Sequence, residues 1–79
     1  MRPSRDPQPV LGEVLKELRE KQGVTQRAIA VRADLTPAHY CAIESGQSNP
    51  LWGTMRRIAK ALDVSMTEIA KGEEDRRAS

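Results

Sequence analysis

His39 and Cys41 are the single histidine and the single cysteine of this 79-residue chain. They stand two positions apart on a predicted helix, so their side chains point in different directions. A structural zinc site takes four cysteine or histidine ligands, which is more than the chain contains. A redox role for Cys41 would need a lowered pKa and an exposed thiol, and only a nearby helix start favours it. We therefore predict that the chain binds no metal and no cofactor. For Cys41 we favour the interpretation that it is simply a small residue near a binding surface or the core.

Catalytic residue sets are missing from the rest of the sequence as well. There is no carboxylate pair in an apolar setting, no nucleophile beside a base and no phosphate-binding glycine loop, so the chain is predicted not to be an enzyme. Its 13 basic and 11 acidic residues give a net charge of only +2. With so small an excess, the position of the charges indicates more about partners than their number does.

Residues 25–46 are predicted to form two short helices joined by a tight turn. Thr25 and Thr36 are residue types that cap helix starts, and Pro37 suits the first helical position. Gly46 is expected to end the second helix, because glycine tolerates left-handed backbone angles. Six apolar residues give the two helices and their turn a shared inner face: Ile29, Ala30, Ala33, Leu35, Tyr40 and Ile43.

Three further helices are predicted around this unit. Apolar residues recur at helical spacing over residues 10–22. A helix at about 50–62 is expected to begin with Asn49 as its cap and to place Leu51 on its apolar face, with Trp52 in the core or at its rim. A capping box, Ser65 to Glu68, predicts a short helix at about 65–71 that Gly72 ends.

These elements predict one domain at residues 10–71, with a flexible arm at 1–9 and a frayed tail at 72–79. A chain of this length buries a modest core, and without phenylalanine that core must be mainly aliphatic. Arg2 and Arg5 of the arm could enter a DNA minor groove, although a solvated tail is the favoured interpretation. No apolar run approaches the roughly 20 residues of a membrane span, and the N-terminus lacks the apolar stretch that a signal peptide needs. We expect no membrane association and a cytoplasmic protein.

A family resemblance is carried by three stretches: LREKQGVTQRAIA at 18–30, IESGQSNP at 43–50 and IAKALDVSMTEI at 58–69. The sequence resembles the Cro/C1-type (lambda-repressor-like, XRE) helix-turn-helix family over about residues 10–70. The resemblance implies an all-α, five-helix lambda-repressor-like DNA-binding domain with its helix-turn-helix at about 25–46. It also implies sequence-specific binding to double-stranded DNA, commonly by a homodimer on a palindromic site.

The resemblance implies that the second helix of this motif, at about 36–45, lies in the major groove with its N-terminal residues at the base edges. The resemblance assigns base contacts to Pro37, Ala38 and Ala42. These small apolar residues can touch thymine methyl groups but cannot form bidentate hydrogen bonds with bases. Thr36 and His39 can donate or accept hydrogen bonds, and His39 is the main polar candidate. We therefore expect recognition weighted towards DNA shape and methyl contacts.

Phosphate contacts are predicted at the start of the helix that follows Thr25, where free N–H groups and the helix dipole favour anions. Gln26 and Arg27 lie there, and the resemblance implies that Gln26 holds a phosphate. It also implies that a loop grips the DNA backbone at the other end of the motif: Gln47, Ser48 and Asn49. Two more basic residues are weaker candidates, with a solvated surface charge as the alternative: Arg32 and Arg56.

The resemblance further implies a structural ion pair between Arg19 and Glu44, which would tie the first helix to the DNA-facing helix. If this pair is partly buried, losing one partner should cost on the order of 3–5 kcal/mol at the extreme. An exposed pair would contribute at most about 1 kcal/mol. Asp34 stands in the turn where the family usually has glycine, and Asp tolerates left-handed backbone angles better than most residues.

The leading functional hypothesis is a dimeric transcriptional regulator, such as a repressor, that binds an inverted repeat and associates with the nucleoid when bound. The alternative is an antitoxin or coactivator-type module with a protein partner as its main ligand. One half-site is a small target, so tight binding favours two copies. The dimer surface is expected among apolar residues that a monomer's core would also need: Leu62, Val64, Met66 and Ile69.

Overall fold

The structure, a computed structural model, describes residues 9–78 and contains five α-helices there, with no strand. In chain order the helices are α1 (Pro9–Gln22), α2 (Gln26–Arg32), α3 (Pro37–Glu44), α4 (Trp52–Ala61) and α5 (Met66–Ala78). The predicted five-helix, all-α fold is confirmed. Apart from Pro9, the arm predicted at residues 1–9 lies outside the described residues.

Local capping fixes the two helices of the motif as the sequence predicts. The Thr25 hydroxyl accepts a hydrogen bond from the Ala28 N–H at 3.0 Å, and the Thr36 hydroxyl accepts one from the His39 N–H at 3.1 Å. Pro37 occupies the first turn of α3. In the turn between the helices Asp34 adopts φ 58°, the left-handed conformation expected at that position.

The core is aliphatic apart from one tyrosine, and all five helices contribute buried side chains to it. Six large side chains are fully buried: Leu15, Ile29, Tyr40, Ile43, Ile58 and Leu62. Ala30 of α2 is also fully buried, and α2 packs against both α3 and α4. α1 contacts both α3 and α5, so it connects the two-helix motif to the C-terminal helix.

The start of α4 differs from the prediction. Its N-cap is Leu51, which makes no side-chain capping bond, so Asn49 does not cap the helix. Because the chain is still extended at Leu51 (ψ 160°), this residue does not join the apolar face that its spacing suggests. Leu51 is 79% exposed and Trp52 is 69% exposed, so the start of α4 places two large apolar side chains on the surface, in addition to Val31 of α2.

The C-terminal segment also differs from the prediction of a frayed tail at 72–79. Gly72 does not end α5, which continues to Ala78. Gly72 lies against α1, since a Cβ atom there would come 2.9 Å from Val14 Cγ1. Further along, the Arg76 guanidinium forms ion pairs with Glu13 and Glu17 of α1. Close packing and these ion pairs offset the low helix propensity of glycine and hold the last turns of α5.

Two of the four apolar residues considered for a dimer surface belong to the core. Leu62 is 0% exposed and Ile69 is 2% exposed. Val64 and Met66 are half-buried against the same core. None of the described helices is both long and apolar enough to cross a membrane.

Candidate nucleic-acid interface

The two sides of α3 differ sharply in exposure. Its inner side buries Tyr40, Ile43 and Glu44. The five residues predicted to face bases lie on the other side or at its edge: Thr36, Pro37, Ala38 and His39 are exposed, and Ala42 is half-buried. With eight residues, α3 is about 12 Å long, a length that fits across a DNA major groove. The structure therefore brings the predicted base-facing residues together on one outward surface.

The hydrogen-bonding capacity of that surface is small. The Thr36 hydroxyl oxygen already accepts the His39 N–H, so what remains free on Thr36 is chiefly its O–H donor. The exposed imidazole of His39 offers one donor and one acceptor when neutral. The other groups of this predicted set are a proline ring and two alanine methyl groups, which suit apolar contact with thymine methyls, and the Cys41 thiol is exposed beside them.

An ion pair anchors the inner side of α3 to α1. The Arg19 guanidinium binds the Glu44 carboxylate in a bidentate manner, with Nε to Oε2 and NH2 to Oε1 both at 2.9 Å. Its third nitrogen, NH1, donates to the Val24 carbonyl at 2.8 Å. The side chains are 13% exposed for Arg19 and 2% exposed for Glu44. The expected structural pair is thus present and largely buried.

Gln26 joins the same cluster, because its Nε2 donates to Glu44 Oε1 at 3.0 Å. Burial alone would raise the pKa of Glu44, but hydrogen bonds from Arg19 and Gln26 outweigh burial and lower the pKa below its ordinary value. The hydrogen bond to Glu44 in turn raises the pKa of Arg19. Both groups therefore stay charged at neutral pH, and one carboxylate holds α1, α2 and α3 together.

Tyr40 lies beside this cluster in the core. Burial raises the pKa of its hydroxyl, and the neighbouring Glu44 carboxylate raises it further. Within the described part of the chain, the buried Tyr40 hydroxyl has no hydrogen-bond partner. The Tyr40 hydroxyl therefore lies close to the Glu44 carboxylate without completing a hydrogen bond of ordinary geometry, and the ring contributes to packing.

The residues predicted to contact phosphate occupy two places. Gln26 is half-buried at the start of α2, next to the exposed Arg27. Since Gln26 Nε2 has two N–H groups and Glu44 engages one, the other donor remains for a ligand. Because α2 has only seven residues, phosphate contact here rests on these two side chains more than on the helix dipole.

The second place is the loop after α3. Gly46 has φ 86° there, and the backbone N–H groups of Gln47 and Ser48 both donate to the Ala42 carbonyl, at 2.9 and 3.1 Å. These N–H groups are used inside the fold, so any phosphate contact from this part of the loop must come from side chains. Gln47 is exposed, while Ser48 and Asn49 are half-buried.

A basic cluster on α4 and the end of α2 is more extensive than predicted. The two predicted residues, Arg32 and Arg56, are joined by Arg57 and Lys60 along adjoining grooves. None of the four forms an ion pair within residues 9–78. Lys60 follows Arg57 by three residues and Arg56 by four, a spacing that places these residues on one helix face and that could have predicted the cluster from the sequence.

Within residues 9–78, no group of three or more His, Cys, Asp or Glu residues is placed to hold a metal ion.

Comparison with known proteins agrees with this geometry. A family described as a helix-turn-helix domain matches residues 10–71. YqaE of Bacillus subtilis (strain 168), an uncharacterized HTH-type transcriptional regulator, is 34% identical over 64 residues, which are 81% of this chain. The chain spans 55% of the length of YqaE.

Two further similarities extend over most of both proteins. The uncharacterized HTH-type transcriptional regulator y4dJ of Sinorhizobium fredii (strain NBRC 101917 / NGR234) is 30% identical over 64 residues, covering 81% of this chain and 83% of y4dJ. A solved structure is similar as well, the crystal structure of the restriction-modification controller protein C.AhdI from Aeromonas hydrophila. C.AhdI shares 30% sequence identity with this chain and superimposes with a TM-score of 0.75, over 77% of this chain and 92% of C.AhdI. These matches agree with the outward orientation of α3 and with the buried Arg19–Glu44 pair on its inner side. The chain belongs to the helix-turn-helix family of transcriptional regulators.

Proposed function

We propose that this protein regulates transcription by binding double-stranded DNA with α3 in the major groove. The observation that carries the proposal is the orientation of α3. Thr36, Pro37, Ala38 and His39 face solvent, while Glu44 on the opposite side is held by Arg19. Helix-turn-helix domains reach base edges with a helix that is held to the fold on its inner side and exposed to solvent on its outer side. The role is one of binding, without a catalytic step, in the cytoplasm where DNA is present.

Phosphate contacts would then come from both ends of the motif. Gln26 and Arg27 lie at the start of α2, and the loop after α3 supplies the other group: Gln47, Ser48 and Asn49. Such contacts fix the register of the protein on the duplex and supply most of the affinity. Base discrimination would depend on His39 and on methyl contacts from the alanines, because the outward surface offers few other polar groups.

A homodimer on an inverted repeat is the assembly that we propose for tight binding. One α3 spans only a half-site, so two copies are needed to double the contacts. Core burial removes Leu62 and Ile69 from the candidate dimer surface. The exposed apolar residues Leu51 and Trp52 are the better candidates. Sedimentation equilibrium of the wild type and of Leu51→Ser tests this, and an unchanged monomer mass at all concentrations would reject the dimer.

Selection of bound genomic fragments, followed by a salt series on a selected and a random duplex, tests the proposed function. We expect the selected fragments to share an inverted repeat and binding to weaken steeply with salt. Arg27→Ala should weaken binding to all sequences alike and reduce the salt slope by about 1. His39→Ala should reduce discrimination at one base step and leave the slope unchanged. Lys16→Ala, an exposed cation on α1, is the control and should change neither.

Two outcomes would reject parts of this scheme. If Arg27→Ala and His39→Ala behave identically, α3 is not the helix that discriminates between sequences. Weak, sequence-independent DNA binding together with tight capture of a protein partner would instead support the antitoxin or coactivator-type alternative.

A further inference from the structure

Gly12 is the place where α1 meets the backbone of α3. A Cβ atom built on Gly12 would lie 2.2 Å from the Glu44 carbonyl oxygen, 2.8 Å from the Glu44 carbonyl carbon and 3.0 Å from the Ile43 carbonyl oxygen. All three are backbone atoms, which cannot rotate aside as a flexible side chain can. Since ordinary contact begins at 3.4 Å, a methyl group at this position would have to push the two helices apart by about 1 Å.

The same end of α3 is held by α1 a second time. Gly12 and Arg19 are seven residues apart, which places them two turns apart on the same side of α1. At Gly12 the backbone of α1 touches the Glu44 carbonyl, and at Arg19 a side chain grips the Glu44 carboxylate. The first contact limits how near α3 can lie to α1, and the second prevents α3 from moving away.

We propose that Gly12 is a positioning residue that sets the placement of α3 relative to the phosphate-contacting residues at the start of α2, and thereby the sequence discrimination of the protein. This inference rests on the proposed function. Phosphate contacts by the long exposed side chains of Arg27 and Gln47 tolerate a small helix shift, because those side chains can adjust. Contacts of short groups such as the Ala38 methyl or the His39 ring with base edges do not, since such geometry must hold within about 0.5 Å.

Two other glycines of the chain provide matched controls. A Cβ at Gly72 would meet Val14 Cγ1 at 2.9 Å, so Gly72→Ala also overpacks α1, but on its α5 side and away from α3. A Cβ at Gly53 would meet nothing within 4 Å, so Gly53→Ala adds a methyl group in open space on an exposed helix. Any effect that Gly12→Ala has and Gly72→Ala lacks is therefore specific to the contact with α3.

The test measures, for each variant, the affinity for the selected duplex and for a random duplex of equal length, at a temperature where urea titration shows the variant to be folded. For Gly12→Ala we expect the ratio of the two affinities to fall at least about tenfold, the effect of one mismatched base pair. Its affinity for the random duplex and its salt slope should stay within about twofold of the wild type. Gly72→Ala and Gly53→Ala should keep the wild-type ratio.

A readout without DNA separates this inference from the proposed function. Amide hydrogen exchange and NMR chemical shifts at residues 40–46 should change in Gly12→Ala and stay unchanged in Gly72→Ala. If Gly12→Ala does not fold alone, it is measured in the Gly53→Ala background, where higher helix propensity restores part of the stability. Equal changes at residues 40–46 in Gly12→Ala and Gly72→Ala, or an equal fall in both affinity ratios, would overturn the positioning role. If the wild type shows no sequence preference at all, the proposed function fails while the exchange comparison still decides whether Gly12 positions α3.

Discussion

Removing the Glu44 carboxylate should destabilise the fold strongly, because this buried charged group joins α1, α2 and α3. The Glu44 side chain is 2% exposed and accepts two hydrogen bonds from Arg19 and one from Gln26. Glu44→Ala would leave a 13% exposed guanidinium facing a space without its counter-charge. Breaking one partner of a buried pair costs about 3–5 kcal/mol. A domain of 79 residues has a total stability of about 4–12 kcal/mol, so the variant would lose a large share of it.

Glu44→Gln provides the graded version of this perturbation. The glutamine keeps one oxygen acceptor for Arg19 or Gln26 but loses the charge, so we expect a smaller loss of about 1.5–3 kcal/mol. Urea denaturation followed by circular dichroism at neutral pH measures both losses. Lys21→Gln is the control, since the exposed Lys21 ammonium group forms an ion pair within α1, with Glu17 at 3.3 Å. That control should change stability far less than either Glu44 variant.

The pH dependence follows from the lowered pKa of Glu44. Because the folded-state pKa lies below the ordinary value of 4.5, the carboxylate contributes its full stabilisation above that value and loses it as the pH falls through the folded-state pKa. The stability difference between wild type and Glu44→Gln should be constant from neutral pH down to about 4.5 and shrink below it. A loss under about 1 kcal/mol for Glu44→Ala, or a difference that shrinks already at neutral pH, would refute the buried-pair reasoning.

Three further stability predictions can be checked by the same urea titrations. Tyr40→Phe should leave stability unchanged or raise it by up to about 1 kcal/mol, since the buried hydroxyl it removes has no hydrogen bond; a loss above that size would reveal a bond to Glu44. Asp34→Gly should be neutral or stabilising by up to about 1 kcal/mol, because residue 34 has φ 58° and glycine carries no Cβ penalty there; a clear loss of thermal stability would show that the carboxylate makes an unforeseen bond. Thr36→Ala should cost about 1 kcal/mol through loss of the α3 cap, and an unchanged midpoint would contradict that role.

Features governed by neighbouring residues could be predicted from the sequence. The caps at Thr25 and Thr36 and the left-handed turn at Asp34 follow from the residue types themselves. The capping box is present as predicted, with the Ser65 hydroxyl accepting the Glu68 N–H at 3.0 Å and the Glu68 carboxylate accepting the Ser65 N–H at 3.3 Å. Family resemblance added the Arg19–Glu44 pair, which local patterns alone do not indicate.

Features that depend on contacts between distant segments could not be predicted in this way. Gly12 lies in an ordinary helical stretch, and only the crossing of α1 with α3 shows why a side chain is excluded there. Gly72 has the local character of a helix end, yet packing on Val14 and the ion pairs of Arg76 carry the helix past it. At the candidate site, the outward placement of His39 agrees with the sequence prediction, while its contact with a base remains a prediction.

Trp52 is the chain's single tryptophan, and its 69% exposure determines what ultraviolet spectroscopy can detect. An indole that already faces water in the native state changes its surroundings little on unfolding, so intrinsic fluorescence should report poorly on denaturation. The same indole stands three residues beyond Asn49, at the end of the loop expected to meet a ligand. Its emission wavelength and its quenching by iodide should therefore shift when a duplex or a second copy covers that edge, which makes this native residue a label-free optical probe of complex formation.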